Sequence, residues 1–132
     1  MGYPAVERAV CGPDGWPLSG ATHGSVAHLD RAIGLLHSAP EDAVKGCGVA
    51  LRLAPCFVMA HIVMAHALKD SDPAMGRAAN RLLAWLPATD REKSHLAILG
   101  ERLPGPALHH HLRRWPGDSL ASSLLREEAA VI

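Results

Sequence analysis

The feature that most constrains this chain is a proline that returns about every thirty residues. Leu53-Ala54-Pro55, Trp85-Leu86-Pro87 and Arg114-Trp115-Pro116 each close one apolar-periodic segment and open the next. Proline lacks the backbone N–H and clashes with the preceding turn, so each mark is a helix end. The interval holds two short helices and a turn, the period that stacked helical hairpins write into a sequence. Alanine and leucine, both strong helix formers, dominate, while aromatic residues are only 4% of the chain, low for a β-sandwich or barrel. No segment alternates as a half-buried strand does. The expected fold is all-α.

Residues 1–18, with Pro4, Gly12, Pro13, Gly15 and Pro17, read as an extended leader from which Trp16 and Leu18 can dock on the first helices. Residues 19–132 read as one helical repeat domain. A first helix runs from Ser19 or Thr22 to Ser38, with Val26, Leu29, Ile33 and Leu36 on one face, and Pro40 stops it. A second covers about 41–53, on the stripe Val44, Cys47, Leu51 and Ala54. Gly46 and Gly48 weaken it or permit close approach of a neighbour. A third, about 56–69, is apolar almost all round, the pattern of a helix buried on most sides. A fourth opens on Asp72-Pro73 and carries Met75, Ala79, Leu82 and Leu86. Thr89-Asp90-Arg91-Glu92 is a capping box for a fifth, whose apolar face is Leu96, Leu99 and Leu103. A sixth spans about 107–115 with Leu108, Leu112 and Trp115 inward. A seventh starts at Asp118 or Ser119 and runs to the end. Val44, Leu51, Phe57, Ile62, Leu82 and Leu86 are the predicted core.

Gly15-Trp16-Pro17-Leu18-Ser19, Asp30-Arg31-Ala32, the block 54–61 (APCFVMAH), Thr89-Asp90-Arg91-Glu92-Lys93-Ser94-His95 and Pro116-Gly117-Asp118-Ser119-Leu120-Ala121 together resemble the amino-terminal part of the tetratricopeptide repeat protein 38 family. The blocks 54–61 and 89–95 are the most specific of these. The resemblance spans about residues 14–126 and implies a tetratricopeptide-like α-α superhelix, right-handed, of about three hairpins. It implies no activity, because such repeats usually serve as scaffolds. The family has a longer turn where this chain has Gly100 to Pro106, and it continues for several further helix pairs. A truncated remnant without independent function is therefore one reading of the chain.

Lys+Arg and Asp+Glu number 13 each, so the net charge is zero. That excludes a general nucleic-acid or anionic-membrane binder, which would carry a basic excess. Cys11, Cys47 and Cys56 form no C-x-x-C pair, the start lacks the blocks of a signal peptide, and the longest apolar stretch is too short to span a bilayer. A cytoplasmic location follows by elimination.

The nine histidines set the main alternative, an enzyme or metal-dependent protein. His109-His110-His111 cannot all face one ion, because successive helical residues point about 100° apart. There is no H-E-x-x-H, and His61 and His66 lie on different faces. No metal and no cofactor is expected. Arg91 and His95 share a helix face. One reading has His61, Arg91 and His95 lining a groove that grips an acidic peptide group; the other has them locking the turn before their helix. Cys47 lies on an apolar stripe, so it reads as core rather than nucleophile. The leading functional reading is a non-catalytic scaffold for protein–protein or peptide binding. The seventh helix has two adjacent apolar faces, one through Leu120 and Leu124, the other through Leu125 and Ile132. The second predicts self-association, or capture of a partner helix.

Overall fold

The computed structural model describes residues 10–69, 71, 72, 74, 81, 83, 85, 86 and 88–130, the side chains of 128–130 excepted. Six helices are delimited among them: α1 (His23–Leu35), α2 (Pro40–Leu53), α3 (Val58–Leu68), α4 (Asp90–Leu99), α5 (Gly105–Arg114) and α6 (Ser119–Ala130). The described residues contain no strand, only an isolated antiparallel bridge between Cys11 and Pro17. The fold is all-α. No helix among the described residues is long and apolar enough to cross a membrane.

The helix ends follow local chemistry. Thr22 caps α1, its N–H donating to Ser25 Oγ at 2.9 Å. Pro40, read from the sequence as the stop of the first helix, is the first residue of α2, where its missing N–H is no loss and Glu41 and Asp42 follow in the positive first turn. Gly100 caps α4 at its C-terminus. Leu103, expected on the apolar face of that helix, therefore falls in the following loop and is 76% exposed. Pro73, Met75, Ala79 and Leu82 of the expected fourth helix lie outside the described residues. Within that stretch Leu83 is buried and Leu86 is half-buried.

The main core joins α1, α2 and α3. Ala32, Ala43, Cys47 and Ala50 are fully buried between them, and small side chains let helix axes approach closely. Gly46 extends this, since a Cβ there would stand 3.4 Å from that of Ala32. α3 is the central element, with seven of its eleven residues buried. Phe57 and Ile62 are fully buried, while Val44, Leu51 and Leu86 are half-buried against the same core. Burial pushes the Cys47 thiol up to about 12, so it is a core residue and no thiolate nucleophile. A second cluster, Ile98, Leu108 and Ala121, joins α4, α5 and α6, and Leu124 packs against both cores. α6 also returns to the turn after α1, where His37 meets Ser123 Oγ at 3.0 Å and Glu127 at 3.2 Å.

Within the stretch read as an extended leader, residues 10–18 fold into a tight loop. The Leu18 N–H donates to Val10 O at 2.8 Å and the Gly12 N–H to Trp16 O at 3.0 Å. Leu18 is buried in the main core. The chain then turns at Gly20 (φ 75°) into α1. Ser19 O accepts the Val58 N–H at 3.1 Å, which ties this strap to the start of α3.

Candidate functional site

Two helices aim polar side chains at a single oxygen, which stands just before a third. Thr89 Oγ1 accepts the Glu92 N–H at 3.2 Å, and Glu92 Oε1 accepts the Thr89 N–H at 2.8 Å. This capping box sets the rotation of α4, so Arg91 and His95, one turn apart, face inward. His111 comes from the last turn of α5. Asp118 precedes α6, where its Oδ1 accepts the Ala121 N–H at 2.9 Å. Gly117, at φ 79°, makes the bend that places it there.

Asp118 Oδ2 accepts three hydrogen bonds: from Arg91 Nη1 at 2.7 Å, His95 Nε2 at 2.9 Å and His111 Nε2 at 3.0 Å. Arg91 is 4% exposed and the other three residues are fully buried. Burial alone would push the Asp118 carboxyl up. The hydrogen bonds from His111 and His95, the field of His95 and the Ala121 amide outweigh it and hold the group well below the usual carboxylate range. Asp118 is therefore ionised, with Arg91 as its counter-charge. Burial pushes His95 down more than Asp118 raises it, so that imidazole is neutral.

The ionised carboxylate can only accept, so both imidazoles carry their proton on Nε2. On the far side of the His111 ring, Nδ1 lies 2.8 Å from Ser94 Oγ. His95 Nδ1 is buried without a protein partner, as is Arg91 Nε. Around the node, the strap supplies a second layer. Arg91 Nη2 donates to Pro17 O at 3.3 Å, and Ser19 donates to Glu92 through its N–H at 3.0 Å and its hydroxyl at 2.6 Å. Asp14 Oδ2 accepts the N–H and the hydroxyl of Ser119 at 3.1 and 3.2 Å.

His95, His111 and Asp118 are also a potential metal-ligand set, their donor atoms lying within 4.8 Å of one another. Two ligands of one zinc ion, each at about 2.1 Å, stand no more than about 4.2 Å apart. Here a carboxylate oxygen occupies the centre and the Arg91 guanidinium takes its third acceptor direction. A divalent cation would displace two N–H donors and meet Arg91 in a dry interior. The geometry is that of a hydrogen-bond node.

Of the residues singled out from sequence, Arg91 and His95 are both buried at this node. His61 is half-buried and bonds its own turn, Nε2 lying 3.0 Å from Pro55 O. Leu120 is buried, Leu124 and Leu125 are half-buried, and Ile132 lies outside the described residues. Sequence reasoning missed His111, Asp118, Ser94 and the strap residues Asp14 and Ser19 as members of the network around that pair. His111 did carry a signal: it alone of the three consecutive histidines shares the inward i, i+3, i+7 face of Leu108 and Trp115.

A second feature is an open groove of about 1260 Å³ between α1, α5 and α6. Ile33, Gly34, Leu112, Ser122 and Leu125 line its apolar and small-residue part, and Asp30, His37, Arg126 and Glu127 stand at the same walls.

Acid should unfold this molecule earlier than its carboxylates alone would require. Burial, then the neighbouring His95, Lys69 and His37, lower His66 to about 3, and both of its ring nitrogens lack a hydrogen-bond partner. A histidine depressed in the folded state stabilises above its unfolded value near 6.5, and that contribution drains away as pH falls from about 6.5 toward 3. His95 acts in the same direction. Each such group removes about 1.4 kcal/mol per pH unit within its window. Urea unfolding at pH 7.5, 6 and 5 checks this; the His66→Leu protein should lose less between pH 7.5 and 5 than the parent.

No protein-family model, no curated protein and no solved structure matches the chain.

Proposed function

We propose that this chain is a docking module of tetratricopeptide type, whose groove between α1, α5 and α6 receives an amphipathic helix from a partner protein. The observation that carries the reading is the groove itself. Its three walls repeat at helical spacing (30, 33 and 34 on α1, with 37 in the turn after it; 105, 109 and 112 on α5; 119, 122, 123 and 126 on α6). Small residues at Gly34, Ser122 and Ser123 let a guest backbone approach. Ile33, Leu112 and Leu125 offer apolar contact, and the mixed charges of Asp30, Arg126 and Glu127 fit a guest whose flanks are polar on both sides. The finer architecture, a right-handed superhelix of about three hairpins like the amino-terminal part of the tetratricopeptide repeat protein 38 family, rests on the residue blocks that carry that resemblance. Packing of α2 against both α1 and α3 supports it. A cytoplasmic setting belongs to the same reading, on the odd number of cysteines without a C-x-x-C pair.

A display library of amphipathic helical peptides, selected on the full chain, tests the proposal. Gly34→Trp fills the groove without straining the fold, because a Cβ there meets nothing within 4 Å. Selected peptides should bind that variant at least about tenfold more weakly, a loss of about 1.4 kcal/mol. No enrichment, or equal binding to both proteins, sinks the groove. A dimer by light scattering that Gly34→Trp dissociates makes a second copy of this chain the occupant instead.

A further inference from the structure

Ser94, His111 and Asp118 form a continuous hydroxyl–imidazole–carboxylate line, with distances of 2.8 and 3.0 Å at its two joints. Its polarity is fixed from one end. Asp118 Oδ2 stands among three N–H donors, so His111 Nε2 donates to it, and in the neutral ring Nδ1 is the acceptor for the Ser94 hydroxyl proton. That is the protonation pattern a serine needs to be activated: base and orienting carboxylate on opposite ring nitrogens. Asp118 and His111 are fully buried, whereas Ser94 is half-buried, so the line opens toward solvent at the hydroxyl.

The surroundings of that opening add two parts. Asp90 lies one helical turn before Ser94 on the same face of α4, and Arg114 Nη2 approaches it at 3.7 Å. Arg114 also lies over the Trp115 ring at 4.6 Å, and that ring in turn packs against His111 at 4.8 Å between centroids. An exposed guanidinium held at Asp90 and an indole held at His111 thus each pack on a residue that adjoins Ser94. The amides around Ser94 belong to the middle of α4 and are spent on its own ladder, so an oxyanion formed there has Arg114, not the backbone, as its available donor.

We propose that Ser94 is an activated nucleophile that takes the acyl group of small carboxylic esters, aryl esters above all. Ser94 Oγ attacks the ester carbonyl carbon and its proton passes to His111 Nδ1. The carbonyl oxygen gains the negative charge beside Arg114. Collapse breaks the ester C–O bond, and His111 returns the proton to the leaving aryloxide or alkoxide, leaving an acyl-serine. Water, deprotonated by the same His111, then releases the carboxylic acid and restores the hydroxyl. Asp118 is a positioning residue, holding the imidazole tautomer throughout. This activity is independent of the helix-docking groove, since Ser94 is not among its lining residues.

The test treats the full chain with a fluorophosphonate and with p-nitrophenyl acetate, followed by peptide mapping. The expected result is one label per chain, on Ser94, and esterolysis that the label abolishes. Ser94→Ala should remove both with the urea midpoint nearly unmoved. His111→Gln should slow labelling about 100-fold or more, the lower range for a lost general base. Should that variant unfold, Arg114→Ala carries the test: the Arg114 side chain is largely exposed, so the change should slow esterolysis with little effect on stability. Absence of label overturns the proposal. So does label shared equally with the exposed Ser38 and Ser71, or an Arg114→Ala rate equal to that of the parent.

Discussion

Asp118→Asn should lower the free energy of unfolding by about 3–5 kcal/mol, the range for removing one member of a buried ion pair. The figure follows from what the substitution leaves behind rather than from the lost attraction. Arg91, 4% exposed, would keep its charge with no counter-ion. Two buried imidazole N–H groups would face an amide that cannot accept from all three donors at once. For a domain of this length such a loss is a large share of total stability. Urea unfolding followed by far-UV circular dichroism measures it. Arg91→Met, added to Asp118→Asn, should restore part of the loss, because it removes the stranded charge. A single-variant loss below about 1 kcal/mol would show that the carboxylate is solvated and the node is not dry.

Gly20→Ala should be nearly as damaging, for a steric reason. Gly20 has φ 75°, where an alanine costs about 1–2 kcal/mol. Its Cβ would also stand 2.0 Å from the Cys56 carbonyl oxygen, a backbone atom that no rotamer change can move aside. Relieving the overlap adds about 1–3 kcal/mol and must shift the strap or the turn before α3. Either movement breaks the Val58 N–H bond to Ser19 O and pulls Ser19 from Glu92. Gly15→Ala is the control. Its φ is 86°, but a Cβ there meets nothing within 4 Å, so only the backbone contribution remains. Hydrogen exchange at residues 10–19 should rise sharply in Gly20→Ala and little in Gly15→Ala. Equal exchange in the two would mean that the strap is not clamped at Ser19.

The helices were legible because their ends are local. A capping residue, a proline and an apolar stripe each act within a few positions, and Thr89 with Glu92 announced α4 without help from the rest of the chain. Pro40 shows the limit of the same logic: a proline forbids a helix before it and favours one after it, and the sequence does not say which matters. The node was half-legible. Arg91 and His95 stood out as a polar pair on one face, yet whether that face turns to a groove or to the interior depends on what packs there. Asp118 read as an ordinary helix start, which it is; its other oxygen serves residues 23 and 27 positions earlier. His111 was masked by two exposed neighbours of the same type. The strap was least legible of all, since its partners Glu92 and Ser119 are remote and nothing in a Gly/Pro-rich stretch names them.

The strap has a consequence for the order of folding. Ser19 bonds across 73 residues of chain and Asp14 across 105. Contacts of such span are the costliest in closure entropy, which must be spent before they return anything. α1, α2 and α3 can assemble through near neighbours, while the segment leading into them must wait for α4 and the head of α6 to exist in native form. The strap is thus among the last segments to settle. Refolding should show helix recovered ahead of Trp16 protection, and mutations in the strap should speed unfolding while leaving the folding rate almost unchanged.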